Sequence, residues 1–337
     1  MSKNSSIAIV AGVAIAVAII ASVMAFSGVS DNSMPMDTPE VDQTNLVSQE
    51  EKLTVLTSFY PYHEFTKNVA GDFAEVKQFM PSGVEAHDWE PRAQEIQSLN
   101  DADVFVYNGL GMEPYVENII DSGEFDNVLF VKASEGVELL KFEDDHDDHA
   151  KEDGHDGHDH DYEFDPHIWL DPILVKQQVN VIRDGLIQAD PQNKEHYEDN
   201  ARIYNNKMDA LDMKIGSALS SCQKDTIVPY HNAFTYLGER YDIHIMALGG
   251  MAPDSEASAA EIAEFVDFVK DNDIKVIFSE ELVDPRLAEV IAEEANARVM
   301  LFSPLEALSP EEVGTNVSYI DKMEQNLDSL KVALECQ

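Results

Sequence analysis

The segment from Glu143 to Glu163 carries more potential metal ligands than any other part of the chain. It holds five of the eleven histidines together with eleven Asp and Glu residues, one Lys and almost no apolar side chains. Such a composition cannot form a packed core, so we expect a solvated loop. Imidazole and carboxylate groups are ligands for borderline divalent metals, zinc above all. The loop does not by itself locate the main site, because a flexible segment loses conformational entropy each time it closes on an ion. Its histidines are His146, His149, His155, His158 and His160.

Four further candidate ligands occur singly, near the ends of predicted strands. His87 and His167 lie in the first half of the chain, and His231 and Glu306 lie in the second. In open α/β sheets ligands bind beyond the carboxyl ends of the strands, so these four side chains are expected to converge. Taken singly, His87 and His167 are better explained as ordinary loop histidines, and Glu306 could simply oppose the dipole of the helix that begins near Pro310. Together, three imidazoles and one carboxylate form a four-coordinate set that suits Zn²⁺.

Other polar side chains near these positions are weaker candidates. Glu280 and Glu281 follow the seventh predicted strand, where either could be a fourth ligand or could orient a ligand's ring through a hydrogen bond. Glu281 is the alternative to Glu306 as the fourth ligand. Asp165 is a candidate hydrogen-bond partner of a ligand. His63 could line the cleft from the first helix, although an ordinary surface position explains it equally well.

Short apolar runs alternate with helical patterns from residue 53 onward, which predicts βαβ units and largely parallel sheets. The expected fold is α/β, with two similar lobes of about four strands each and flanking helices. Helices are expected at 62–70, 93–100, 259–270, 285–295 and 310–335. Strands are expected at 53–59, 74–80, 103–108 and 128–132 in the first lobe, and at 226–230, 243–247, 275–279 and 298–302 in the second.

A helical region separates the two sets of strands. Asp171 followed by Pro172 suits a helix start, and Asp190-Pro191 interrupts the pattern and starts a second helix that runs to about Ser220. About 30 residues at ~1.5 Å each form a rod of ~45 Å. We therefore predict an N-terminal lobe at 51–171, a linking helical region at 172–221 and a C-terminal lobe at 222–337. Clefts between lobes are preferred ligand sites.

The N-terminal residues have the composition of a targeting or membrane-anchoring segment. Residues 7–26 contain no charge, and at ~1.5 Å per residue they span a ~30 Å hydrocarbon core. We expect residues 1–26 to be an uncleaved membrane anchor, with a cleaved signal peptide as the alternative, and residues 27–50 to be a flexible tether. The rest of the chain is then extracytoplasmic, either attached to the membrane or, after cleavage, secreted or periplasmic.

Charge and cysteine content limit the remaining possibilities. The net charge of −43 argues against a nucleic-acid partner, which requires clustered Lys and Arg. Cys222 precedes the strand that leads to His231, and Cys336 ends a closing helix that runs away from the cleft. Both should lie at the far base of the second lobe, so we expect a disulfide there, with two free thiols as the alternative.

Several motifs occur in the same order as in one known family, over about residues 51–335. They are FYPYHEFT (59–66), EAHDWEP (85–91), ADVFVYNGLGME (102–113), the His-rich loop, FDPHIWLDP (164–172), PYHNAFTYLG (229–238) and SPLEALSP (303–310). The chain thereby resembles the zinc-binding proteins of high-affinity zinc ABC importers, the ZnuA/AdcA-like group. The resemblance implies two lobes bridged by a long helix, with zinc bound between them by His87, His167, His231 and Glu306. It implies that the His-rich loop is an accessory metal-gathering element.

The same resemblance implies a function in transport. Zn²⁺ would be the transported ligand. The partners would be an ABC permease, contacted through both lobes, and its ATPase subunit. The protein would be a monomer without enzymatic activity. Manganese and iron importers of this type carry a carboxylate where His231 stands, and imidazole favours zinc. The chain departs from many bacterial members because no lipid-anchoring cysteine ends its apolar segment.

Two other functions remain open. One is a zinc hydrolase in which Glu306 is a general base, although the chain has no HExxH or GxSxG motif. The other is a surface metal buffer or adhesin-like protein that works without a permease.

Overall fold

The structure is a computed structural model that describes residues 52–141, 163–250, 253 and 258–337. The predicted anchor, the tether and all five histidines of the His-rich loop lie outside the described residues. Across the described ranges, no helix combines the length and the apolar character needed to cross a membrane.

The first half of the chain forms a four-stranded parallel sheet. Its strands follow the order β2-β1-β3-β4, and Val55 of the central strand stands opposite Val76 on one side and Val104 on the other. The strands are β1 (Leu53–Thr57), β2 (Ala74–Gln78), β3 (Val104–Tyr107) and β4 (Leu129–Lys132). The helices are α1 (Tyr60–Ala70), α2 (Ala93–Ser98) and α3 (Pro114–Ser122).

Both faces of this sheet are covered. Val55 and Val106 pack in one cluster with α1 and with the helices that follow the sheet, whereas Leu56 and Phe105 pack on the other face against α3. All four residues of β3 are buried, as expected for a central strand of a parallel sheet. The sheet is therefore a buried support for the segments that leave its carboxyl edge.

Two long helices connect the halves. The first, α4 (Pro172–Ala189), begins as expected, because the Asp171 side chain accepts hydrogen bonds from the backbone N–H groups of Ile173 and Leu174. The second, α5 (Lys194–Leu219), has 26 residues and a length of about 39 Å. The lobe boundaries at 171 and 221 stay a prediction.

The second half repeats the parallel α/β pattern with shorter strands. Its strands form two parallel pairs, β5 with β6 and β7 with β8, and the backbone N–H of Phe278 donates to the carbonyl of Val228 between the pairs. The predicted strand 226–230 is shorter because Pro229 has no N–H for a ladder hydrogen bond. The strands are β5 (Thr226–Ile227), β6 (His244–Ile245), β7 (Val276–Ser279) and β8 (Arg298–Leu301). The helices are α6 (Thr235–Tyr241), α7 (Ala259–Asp271) and α8 (Arg286–Ala295).

The closing helix α9 (Tyr319–Ala333) begins later than predicted. The expected start at Pro310 was wrong, because the first turn is capped farther along the chain. The Ser318 hydroxyl accepts a hydrogen bond from the backbone N–H of Asp321, whose carboxylate accepts one from the N–H of Ser318. At the other end Cys222 and Cys336 form a disulfide, which attaches the end of α9 to the segment before β5.

Candidate metal centre

The four predicted ligand side chains meet at one buried point. His87 lies in the segment between β2 and α2, and His167 immediately precedes the 3₁₀ turn Ile168–Leu170 that leads into α4. His231 follows β5 and Glu306 follows β8. All four are buried, and Glu306, the most exposed of them, is only 5% exposed. Four separate segments, two from each half of the chain, therefore form the site.

The distances within this group fit a tetrahedral ion. Glu306 Oε1 lies 3.4 Å from His87 Nε2, 3.5 Å from His167 Nε2 and 3.5 Å from His231 Nε2. The Nε2 atoms of His87 and His167 are 3.3 Å apart, and the four ligand atoms all lie within 4.8 Å of one another. A tetrahedral zinc site with bonds of about 2.0–2.1 Å has edges of about 3.3–3.4 Å between ligand atoms.

Two atoms of the group lack hydrogen bonds. Nε2 of His231 and Oε1 of Glu306 are buried and have no hydrogen-bond partner. Buried polar atoms without partners are costly and rare in folded proteins. Here the cost has a chemical explanation, because both atoms face the other ligand atoms of the group, where a cation would be bound.

Carboxylates on the outer side orient two of the rings. Asp165 Oδ1 lies 2.8 Å from Nδ1 of His167 and also accepts a hydrogen bond from its backbone N–H at 2.9 Å. Glu280 Oε1 lies 2.7 Å from Nδ1 of His231. A carboxylate on Nδ1 keeps the proton there and leaves Nε2 as the ligand atom. The structure thus places Asp165 where the sequence suggested, and it selects Glu280 among the two acids after β7.

The third histidine has a different support. Glu85 Oε1 accepts a hydrogen bond from the backbone N–H of His87 at 3.0 Å, and Oε2 accepts one from Asp88 at 3.0 Å. Glu85 was not among the residues predicted from the sequence. Its signal was the spacing, because Glu85 precedes His87 by two residues, as Asp165 precedes His167.

Burial and close charges perturb the pKa values of the group. Burial opposes ionisation of Glu306, but the three imidazoles outweigh it and hold its pKa well below the usual range. Burial disfavours a proton on His231, yet Glu280 and Glu306 raise its pKa well above the ordinary value, and Asp165 raises the pKa of His167 in the same way. For His87, burial dominates and lowers the pKa.

The segments of the site are joined across the two halves of the chain. The Trp169 indole N–H donates to the carbonyl of Pro304 at 2.7 Å, and the Tyr319 hydroxyl donates to the carbonyl of Trp169 at 2.6 Å. The Tyr236 hydroxyl donates to the carbonyl of Asp165 at 2.9 Å. The residues around His167 are therefore attached both to the segment before Glu306 and to helices α6 and α9.

The remaining candidates lie elsewhere. Glu281 is not part of the group, since its carboxylate contacts Lys322 of α9 at 2.5 Å. His63 lies on α1 and is also outside the group, and burial followed by Lys67 lowers its pKa to about 4. Within the described ranges, no second cluster of three or more His, Cys, Asp or Glu side chains has the spacing of a metal site.

Comparison with known proteins identifies similar chains. A family model described as "Zinc-uptake complex component A periplasmic" matches residues 55–333. The high-affinity zinc uptake system protein ZnuA of Bacillus subtilis (strain 168) is 38% identical over 288 residues, which cover 85% of this chain and 89% of that protein. The zinc-binding lipoprotein AdcA of Streptococcus pneumoniae (serotype 4) is 39% identical over 292 residues, and the match spans 57% of its length.

Among solved structures, the Zn(II)-bound ZnuA-like domain of Streptococcus pneumoniae AdcA superposes with a TM-score of 0.72 at 36% identity. The match covers 85% of this chain and 100% of that domain. The similarity therefore extends over both sets of strands and the helices between them.

Proposed function

This chain belongs to the family of the periplasmic zinc-uptake complex component A, and from that premise we propose that it is an extracytoplasmic solute-binding protein for Zn²⁺. In this proposal His87, His167, His231 and Glu306 bind the ion, and an ABC permease with its ATPase subunit receives it. The protein acts as a monomer and contacts the permease through both lobes. It is held at the membrane by its N-terminal segment, or is free outside the membrane if that segment is cleaved.

One observation carries the proposal. Glu306 Oε1 lies at nearly equal distances from three imidazole Nε2 atoms, and these distances are those between the ligands of a tetrahedral ion. Zinc has no geometric preference from its d electrons and accepts this nitrogen-rich tetrahedron, whereas manganese and magnesium favour oxygen ligands and higher coordination numbers. The donor set therefore supports zinc as the cargo.

The residues around the ligands explain how the site would bind and release zinc. Asp165 and Glu280 keep the rings of His167 and His231 turned so that Nε2 faces the centre. Zinc would enter with loss of the proton that the free site holds on imidazole. Because the four ligands belong to four segments, a permease that displaces one segment removes a quarter of the coordination sphere and weakens the binding.

The hydrolase alternative has less support. A catalytic zinc keeps one coordination position open for water, and a general base stands beyond that water. Glu306 instead occupies the fourth corner beside the three imidazoles. Beside Glu306 the described residues line a cavity of about 20 Å³.

Zinc titration calorimetry with metal analysis tests the proposal on the full chain in detergent. We compare the wild type, His167→Ala and a variant in which a single Gly replaces residues 143–163. Lys141 and Phe164 form an antiparallel bridge, so this replacement leaves two residues between the bridged pair, the length of a tight hairpin turn. One tight zinc that survives the loop replacement and disappears in His167→Ala supports the proposal.

Two results would contradict it. Tight binding that follows the loop would mean that the four buried ligands are not the zinc site. Tight binding without any contribution to uptake would favour the surface buffer or adhesin-like alternative. Uptake of radioactive zinc in cells with and without this chain, in a medium depleted by a chelator, distinguishes transport from buffering at the surface.

A further inference from the structure

A buried lysine contacts Glu281, the acid next to Glu280. Lys322 of α9 is only 1% exposed, and its Nζ lies 2.5 Å from Glu281 Oε1 and 2.8 Å from Glu312 Oε1. A buried ammonium group requires such partners, because an unpaired buried charge is strongly destabilising. Lys322 therefore holds one carboxylate from the segment after β7 and another from the segment before α9.

The carboxylate of Glu281 is a potential metal ligand that lies outside the group of four. Glu281 follows Glu280, whose carboxylate contacts the ring of His231. Together with Glu85, Glu280 and Glu306, it lines the cavity of about 20 Å³, which has room for about one water molecule. Among the acids of this cavity, Glu281 is the one that contacts Lys322, whereas Glu306 faces the imidazoles.

Lys322 is fixed by its neighbours on the same face of α9. Tyr319, Lys322 and Asn326 are separated by three and four residues, so they share one side of the helix. The hydroxyl of Tyr319 donates to Trp169, two residues after His167. Asn326 exchanges hydrogen bonds of 2.9 and 2.7 Å with the backbone of Ser303, three residues before Glu306. These contacts fix α9, and with it Lys322, against the segment after His167 and the segment before Glu306.

An additional carboxylate would change which metals bind. Three imidazoles and one carboxylate suit four-coordinate zinc, whereas each added oxygen ligand favours the higher coordination numbers of Mn²⁺. We propose that Lys322 is a specificity-determining residue, because it holds Glu281 outside the coordination sphere and so keeps the site selective for zinc over manganese. This inference rests on the proposed function of the site.

The experiment measures zinc and manganese affinities of the full chain by calorimetry, together with the electron paramagnetic resonance spectrum of bound Mn²⁺. Lys322→Met removes the charge and keeps most of the unbranched side chain. We expect the ratio of zinc to manganese affinity to fall by about tenfold or more. Changes in residues that contact metal ligands typically alter metal affinity by about this factor. The spectrum of bound Mn²⁺ should report an additional oxygen ligand.

Two double variants separate specificity from general damage. Lys322→Met with Glu281→Gln removes the competing carboxylate and should restore the wild-type ratio. Lys322→Met with Glu312→Gln is the matched control, since Glu312 also contacts Lys322 but does not line the cavity. This control should keep the altered ratio. An unchanged ratio in Lys322→Met, or equal restoration in both double variants, would overturn the inference.

Failure of the inference is distinguishable from failure of the proposed function. If the wild type binds no zinc tightly, the proposed function fails, and if it binds zinc while the ratio stays constant in the variants, only the inference fails. Lys322→Gln, which keeps hydrogen-bond donors without the charge, replaces Lys322→Met if the latter does not fold. The single variant Glu281→Gln should leave zinc affinity within about twofold of wild type, and a tenfold loss would make Glu281 a ligand and overturn the inference.

Discussion

A single oxygen of Glu280 holds His231 by both its backbone and its ring. Glu280 Oε1 accepts from the backbone N–H of His231 at 3.2 Å and lies 2.7 Å from its Nδ1. Asp165 Oδ1 has the same relationship with His167, although Asp165 is two residues away in sequence and Glu280 is 49 residues from its partner. Both rings are therefore oriented before an ion arrives, which lowers the ordering cost of binding.

Replacing the outer carboxylates should weaken zinc binding without abolishing it. Glu280→Gln or Asp165→Asn should lower zinc affinity by about 10–100-fold, because the amide no longer fixes the ring's tautomer or raises its basicity. Competition with a chelator of known affinity measures the change. Glu239→Gln, which removes an exposed acid on α6, is the charge-matched control and should have no effect. An equal loss in the control would point to long-range charge instead.

Zinc affinity should rise with pH through the neutral range. The Glu280 and Glu306 carboxylates outweigh burial and raise the pKa of His231 well above its ordinary value of about 6.5, so a proton competes with zinc at neutral pH. Below the raised pKa, each competing proton should reduce the affinity about tenfold per pH unit.

The measurement is a series of zinc titrations from about pH 5.5 to about pH 8.5, with proton release determined in buffers of different ionisation enthalpy. Glu280→Gln should move the onset of proton competition to lower pH, because it removes one of the two carboxylates that raise the pKa of His231. An affinity that is constant above pH ~6.5 in the wild type would contradict the assignment of the proton to His231.

Loss of the disulfide should destabilise the fold and leave the metal centre nearly unaffected. Cys222 and Cys336 are separated by 114 residues, and a cross-link over so long a loop restricts the unfolded chain. The double variant Cys222→Ser with Cys336→Ser should lose about 2–4 kcal/mol of unfolding free energy in urea, with zinc affinity nearly unchanged. Two free thiols in the denatured, unreduced wild type would contradict the cross-link.

Replacing each of two helical glycines by alanine should change the stability of the fold in opposite directions. A Cβ on Gly238 of α6 would lie 2.7 Å from the carbonyl oxygen of Ile243, so Gly238→Ala must displace backbone and should cost about 1–3 kcal/mol. At Gly216 of α5 the nearest atom is 3.9 Å away, and Gly216→Ala should stabilise by about 0.5–1 kcal/mol. Thermal unfolding of the pair measures both, and a loss of stability in Gly216→Ala would show that α5 packs more tightly there than these distances indicate.

The arrangement of the ligands could be predicted from sequence because it depends on sheet topology. Parallel strands present their carboxyl ends at one edge, so ligand types found after strands are expected to meet. His87, His231 and Glu306 each follow a strand, and the α4 start after Asp171 was recognisable from its cap.

Other features depend on contacts that a single sequence does not reveal. The pairing of Lys322 with Glu281 joins residues 41 apart, and nothing in either local pattern indicates it. The start of α9 was misplaced because Pro310 is a strong local signal, whereas the Ser318–Asp321 cap lies in a weaker pattern. Glu280 and Glu281 were both candidates, because neighbouring acids differ only in which way each side chain points.

The bridge between Lys141 and Phe164 makes the His-rich loop exchangeable. Its two ends are already paired, and Tyr236 connects them by accepting from the N–H of Leu140 and donating to the carbonyl of Asp165. Because this pairing lies outside the loop, we expect insertions or losses between these ends to leave the ligand-bearing segments in place. The same junction is a natural point for inserting a fluorescent reporter domain and building a zinc biosensor.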